Sequence, residues 1–470
     1  MLDPLRGAHR GADGVAEQRG AFAVERKLAS VRAAGDGPRP RSLLGSARFA
    51  PLRTQADTIM SDAKVASVLP ETAAAQRRRE HPARVAFSFI GGAHQFWHAI
   101  PVAAALSRMA DVGVTCFVVD AEDAATMAEM LLRLGAGPVN IVVMRLPGLL
   151  RGLLTPRWRH VRAPLKVVRL AWWSRALARS DVIVAVERTS VLLKWLRRRT
   201  PPMVHIPHGA GDGERGYDRR IRKFDHVLVA GEKDRDRFVE LGLARADRIW
   251  VSGYVKRAGM LQLHQGRPRF FENDRPTIVY NPHFAHGRGS WRDMGREVIS
   301  AIAADGRFNL IFAPHVRLFE NASAHERREL EALARADSVL IDLGSARSID
   351  MSYTAAADLY LGDVSSQVYE FCSEPRPCVF MNAHGVAWKG DPHYAMWSFG
   401  EVIERVEQLV PALAAAFAAP DAFAGVQREA VRRSFGDPAL DAAQVAADRL
   451  LQIADAASRP DVRSPRPRYR

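Results

Sequence analysis

Short apolar runs followed by longer stretches of helical spacing recur along most of this chain, and that rhythm constrains its fold more than any other feature. Arg84-Val85-Ala86-Phe87-Ser88-Phe89-Ile90 reads as a strand buried on both faces, and it runs into Gly91-Gly92. A helix is expected over 94–109. The order returns in strands over 114–119, 139–144, 182–186, 203–206, 226–230 and 248–251, with helices over 124–134 and 233–241. A polar stretch with Gly266, Pro268 and Pro276 then interrupts the pattern. A second series opens at Thr277-Ile278-Val279-Tyr280. Its expected strands are 309–313, 339–341, 358–361 and 378–381, and its expected helices are 325–336, 349–356, 402–417 and 439–454. Strands alternating with helices build parallel sheets covered on both faces. The fold class is therefore α/β: two Rossmann-like domains facing across a cleft, with C-terminal helices.

At 470 residues the chain can hold two full cores and tails. The reading is a basic leader over 1–83, an N-terminal Rossmann-like domain over 84–262 and a linker over 263–275. A C-terminal Rossmann-like domain over 276–457 and a basic tail over 458–470 complete it. Residues 1–83 are rich in Ala, Arg, Gly and Pro without apolar periodicity and are expected to be disordered, and Met60 is a second candidate start. No apolar run approaches the ~20 residues that span a bilayer. No charged start with an apolar core follows the first methionine, so a secretory signal is not expected. Three cysteines without metal-ligand spacing suit a reducing, cytoplasmic setting. The net charge of +15 collects in the leader, the tail and the segment 151–199. With no zinc-finger spacing, aromatic RNP-type strand or Walker loop, no nucleic-acid partner is expected.

Ligands of open parallel sheets bind beyond the carboxyl ends of the strands, so the strand-to-helix loops are the site candidates. In Asp358-Leu359-Tyr360-Leu361-Gly362-Asp363-Val364-Ser365-Ser366 a strand ends in Gly-Asp and two serines open a helix-like segment. Backbone N–H groups, hydroxyls and a helix dipole would meet there as a phosphate seat, with an ordinary N-cap as the plainer alternative. His208-Gly209 and His315 close two other strands, and an imidazole at a strand end can take a proton near neutral pH. Arg317 lies two residues beyond His315. Asn281-Pro282-His283 and His286-Gly287-Arg288-Gly289-Ser290 make a further loop that could reach a phosphate. On the first domain, Gly91, Gly92, His94 and His98 form a further candidate loop with Gly209, where the glycines allow a tight turn and close approach of a ligand.

The order His208-Gly209, Pro314-His315, Asp363-Val364-Ser365-Ser366 and Arg376-Pro377 resembles the CDP-glycerol glycerophosphotransferases of teichoic-acid type, which have the glycosyltransferase-B architecture. The chain departs from that family at Pro207, where an aromatic residue is usual, at Val316, where a proline is usual, and in lacking a lysine soon after His-Gly. The resemblance implies transfer of a glycerophosphate-like group from a CDP-activated donor to a hydroxyl acceptor, lipid-linked in the family, in cell-surface polymer synthesis. His208 would be the general base. His315 with Asp363, Ser365, Ser366, Arg317 and Arg288 would hold the donor phosphates, and Glu370 the ribose. No cofactor and no metal are implied. A nucleotide-sugar glycosyltransferase is the near alternative. A UDP-sugar epimerase is a further one, although its usual Asp-Ser-Gly-Gly is Asp363-Val364-Ser365-Ser366 here. A catalytically silent protein of this fold, binding membrane or polymer, is the alternative from another class.

Leu, Trp and basic residues interleave from Leu146 through Trp158, Lys166, Trp172, Trp173 and Arg175. That mixture suits the surface of an anionic membrane, as a peripheral partner at the inner face of the plasma membrane, with a solvated basic face on a buried helix or a groove for an anionic acceptor as the alternatives.

Overall fold

The computed structural model describes residues 81–148, 163–207, 218–263 and 266–458. His208, Gly209, Trp158, most of the expected leader and nearly all of the tail lie outside the described residues.

The first sheet has the order β3-β2-β1-β4-β5-β6-β7. Its strands are β1 (Ala83–Ser88), β2 (Val112–Val118), β3 (Val139–Val143), β4 (Val182–Ala185), β5 (Met203–His205), β6 (His226–Val229) and β7 (Ile249–Val251). The second has the order β10-β9-β8-β11-β12-β13. It is built from β8 (Thr277–Asn281), β9 (Asn309–Phe312), β10 (Val339–Ile341), β11 (Leu359–Gly362), β12 (Cys378–Met381) and β13 (Glu401–Ile403). Every pairing in both sheets is parallel. The strands are mostly runs of Val, Ile, Leu and Phe because helices cover both faces, with exposed polar residues such as Arg84, Asn140 and Glu401 at few positions. In each sheet the order reverses between neighbours, at β1/β4 and at β8/β11, which opens a crevice at the carboxyl edge.

The helix expected over 94–109 is broken. A 3-10 turn, Ala93–His98, precedes α1 (Ile100–Ser107), and Ala99 between them is non-helical at φ −142°. Pro101 lacks the N–H that a continuous helix would need at that point. All eight residues of α1 are buried, between the sheet and the last helix. The helix expected over 402–417 begins instead as β13, whose β-branched Val402 and Ile403 pair with β12. Helical structure resumes at α10 (Leu409–Ala418), with α11 (Ala424–Phe435) after it.

The last helix, α12 (Ala442–Ser458), corrects the assignment of all of 276–457 to the second domain. Its Ala443, Ala446, Ala447, Leu450, Ile453 and Ala454 join the core of the first lobe. The alanines let its backbone approach α1, and each of Leu450 and Ile453 contributes about 2 kcal/mol by leaving water.

Two stretches of chain therefore cross between the lobes, and they run against each other. Tyr254 N–H donates to Phe435 C=O at 3.0 Å. Gly253 and Gly436, both at positive φ, flank the crossing, and a Cβ on Gly253 would stand 2.8 Å from that of Ala442. Just beyond, α5 (Val255–Leu263) runs up to the first residue of the expected linker.

Candidate functional site

At the β8/β11 switch point three loops are tied into one surface. Asp363 follows β11, and its Oδ2 accepts N–H bonds from His283 and Ser290, each at 2.9 Å. His315 N–H donates to Pro282 C=O at 3.0 Å, joining the loop after β9 to the loop after β8. The His283 and His315 rings consequently stand edge to face, 5.6 Å between centroids.

The backbone sets the tautomer of both rings. Ala285 N–H donates to His283 Nδ1 at 3.1 Å, and Arg317 N–H donates to His315 Nδ1 at 3.2 Å. An imidazole nitrogen that accepts carries no proton, so each ring bears its proton on Nε2. Burial, with His283 and Arg317 close by, pushes the His315 pKa down to about 3, so the ring is neutral. His315 is thus an N–H donor rather than a base. The Arg317 guanidinium lies over the Phe284 ring at 4.3 Å, held as a cation beside the imidazoles.

The junction after β11 differs from the expected seat in two respects. The helix α9 (Gln367–Phe371) has only five residues, too few for a substantial dipole. The Ser365 hydroxyl accepts the Gln367 N–H at 3.2 Å, the plain cap that the sequence left as an alternative. Among the described residues the N–H groups of Ser365 and Ser366 form no hydrogen bond, and Ser366 is exposed. Anion affinity here would come from individual N–H groups.

Asp363 is turned inward. It is wholly buried, its Oδ1 has no partner, and burial raises its pKa to about 7 against the pull of the two N–H bonds. It is the staple that shapes the histidine loop. Glu370, expected at the ribose, is also buried, and its Oε1 accepts from Lys256 Nζ at 2.7 Å and Tyr254 Oη at 2.8 Å. Its carboxylate ties α9 to α5 across the lobe junction. Arg288 is exposed on the loop preceding α6 (Trp291–Asp305).

In the first lobe, Gly91 N–H donates to Gln95 Oε1 at 3.2 Å, and Gln95 Nε2 reaches Glu187 Oε2 at 3.3 Å beyond β4. A Cβ at 91 would overlap the Gln95 amide, so a larger residue there would displace that side chain from its bonds. Lys166 Nζ is 3.5 Å from the same Glu187 oxygen. The His98 ring lies 6.3 Å from that of Tyr254, at the lobe junction. Of the proposed membrane segment, Trp172 is exposed, whereas the Trp173 indole donates to Arg145 C=O at 3.0 Å. Among the described residues no helix is long and apolar enough to cross a membrane.

Two doubly wound sheets, each with its switch point at the carboxyl edge, have known counterparts. A UDP-GlcNAc 2-epimerase from Neisseria meningitidis, bound to UDP-GlcNAc, is similar at a TM-score of 0.54 and 11% identity, over 79% of this chain and 100% of that one. Another UDP-N-acetylglucosamine 2-epimerase gives 0.55 and 11%, over 82% and 100%. The wall teichoic acid polymerase TagF gives 0.50 and 13%, over 80% and 89%. The chain has a glycosyltransferase-B fold. No family model and no curated protein matches it.

Within this glycosyltransferase-B fold, sequence reasoning placed His283 only in a loop that could reach a phosphate, and passed over Glu187 and the Lys256–Tyr254 pair as site or junction residues. His283 had a signal, since it closes the strand next to β11. Lys256 and Tyr254 had none, because their partner Glu370 lies more than a hundred residues away.

Proposed function

We propose that this chain transfers a group from a nucleoside-diphosphate donor to a hydroxyl acceptor, most closely in the manner of the glycerophosphotransferases of surface polymers. The observation that carries the reading is the pair of Nε2–H imidazoles, His283 and His315, side by side at the second switch point. Two imidazole N–H donors, the Arg317 guanidinium and the Ser365 and Ser366 N–H groups suit a diphosphate. They would bind its oxygens more tightly as negative charge grows on the departing nucleoside monophosphate. The acceptor oxygen forms its bond to the distal phosphorus as the bond from phosphorus to the bridging oxygen breaks, and the acceptor proton passes to a base. His208 is assigned that role on the sequence resemblance.

Thermal-shift measurements with CDP-glycerol, CDP, UDP-GlcNAc and GDP test donor binding, and release of CMP from CDP-glycerol tests the chemistry. Stabilisation by CDP compounds and CMP release that His208→Asn and His315→Gln each reduce by about 100-fold or more is expected. Epimerisation of UDP-GlcNAc, or no shift with any nucleotide, would replace this reading.

A further inference from the structure

A cavity of about 370 Å³ lies where the two interlobe crossings meet. Its walls come from Arg108 at the end of α1, from Arg257 and Leu261 on α5, from Phe435, and from the turn 436–441 that leads into α12. None of the strand-end loops of the candidate site lines it.

The chemistry of these walls is mixed in a particular way. Arg257 Nε is buried and has no hydrogen-bond partner, so the protein leaves part of this guanidinium unsatisfied. A second cation, Arg108, uses one nitrogen on the Leu134 C=O at 3.1 Å. Two carboxylates also reach the cavity, but one oxygen of each is committed to capping. Asp437 Oδ1 accepts from Ala439 N–H at 2.9 Å, and Asp441 Oδ1 accepts from Ala443 N–H at 2.9 Å and Gln444 N–H at 3.2 Å. The remaining surface is apolar. Tyr254 and Phe435 stack at 4.2 Å between centroids, and Leu261 and Leu440, both more than half exposed, rim the opening.

We propose that this cavity binds a small amphiphilic anion, a carboxylate or phosphate on an apolar body. The acidic head meets Arg257 and Arg108, and the body packs on Phe435, Leu261 and Leu440. The cavity's volume falls within the usual range for small-molecule sites. Because α1 and α12 belong to the first lobe while Phe435 packs in the core of the second, an occupant holds the lobes in one arrangement. The site stands whatever the strand-end loops bind.

Calorimetric titration of the full chain with octyl phosphate, octanoate, inorganic phosphate and octylamine tests this. One-to-one binding of octyl phosphate or octanoate is expected, with inorganic phosphate and octylamine at least about tenfold weaker. Arg257→Gln, and separately Leu440→Glu at the exposed rim, should each weaken the amphiphile by about tenfold or more. Ala258→Trp, which fills the space, should abolish binding. Melting curves of the three variants serve as the folding control, and the rim variant keeps the test open if a buried one unfolds. Failure of both amphiphiles to bind overturns the proposal. So do equal affinity in the wild type and the folded variants, and displacement by CDP.

Discussion

Lys256 Nζ and Glu370 Oε1 meet at 2.7 Å across the lobe junction, with both side chains less than a tenth exposed. Tyr254 donates its hydroxyl to the same oxygen. The pair joins the helix that leaves the first lobe to the helix that follows the Ser365–Ser366 loop. Removing either charge alone strands the other in a buried place, which costs about 3–5 kcal/mol. Lys256→Met and Glu370→Gln should each lower stability by that amount in urea denaturation, and the double variant should lose less than the sum. Additive losses would show that the two groups do not interact.

Asp363 sets a pH dependence of one sign. Its folded pKa of about 7 lies above the ordinary 3.8, because burial outweighs the N–H bonds it accepts. The stability it contributes is complete below the lower value and is lost as pH rises through the higher one. Wild-type stability should therefore fall between roughly pH 4 and 7 through this group, and Asp363→Asn should flatten that fall. Melting temperatures of the two proteins at pH 5 and pH 8 check it; a larger deficit of the variant at pH 8 contradicts the assignment.

His315 works in the opposite direction. Its pKa is lowered from 6.5 to about 3, so its contribution is full above the upper value and is lost as pH falls through the lower one. His315→Gln should blunt the loss of stability on acidification from about pH 6 to pH 4. An unchanged acid limb in denaturant titrations would mean that the ring takes up a proton without cost.

Gly253 sits at φ +90° with Ala442 of the second crossing against it. An alanine there is strained in its backbone and collides with Ala442, so Gly253→Ala should cost about 1–3 kcal/mol. Gly287, at positive φ on the exposed histidine loop with open space around it, provides the comparison. Gly287→Ala should bear only the backbone part, about 1 kcal/mol. Equal losses in thermal melts would remove the packing argument at the crossing.

Much of the candidate site was legible in the chain because its parts are local. A strand ending in Gly-Asp before Ser365-Ser366, or in Pro314-His315, announces a loop at the carboxyl edge whatever lies next to it. The tautomers of His283 and His315 were not legible, since each depends on a backbone N–H two residues on turning back toward the ring. Asp363 and Glu370 read as polar groups beside a ligand, as carboxylates at a helix start commonly are. Their actual partners come from elsewhere in the fold: the loop before α6 for one, and α5 for the other.

By itself, the order of residues determined two parallel sheets and the loops that close their strands, because burial on both faces and helical spacing are periodic properties of short segments. Only the tertiary structure decided that α12 returns to the first lobe, that Lys256 meets Glu370, and that Arg257 borders a cavity at the crossing. Those depend on contacts between segments far apart in the chain, where alanine-rich faces and single charges have many competing partners until packing selects one.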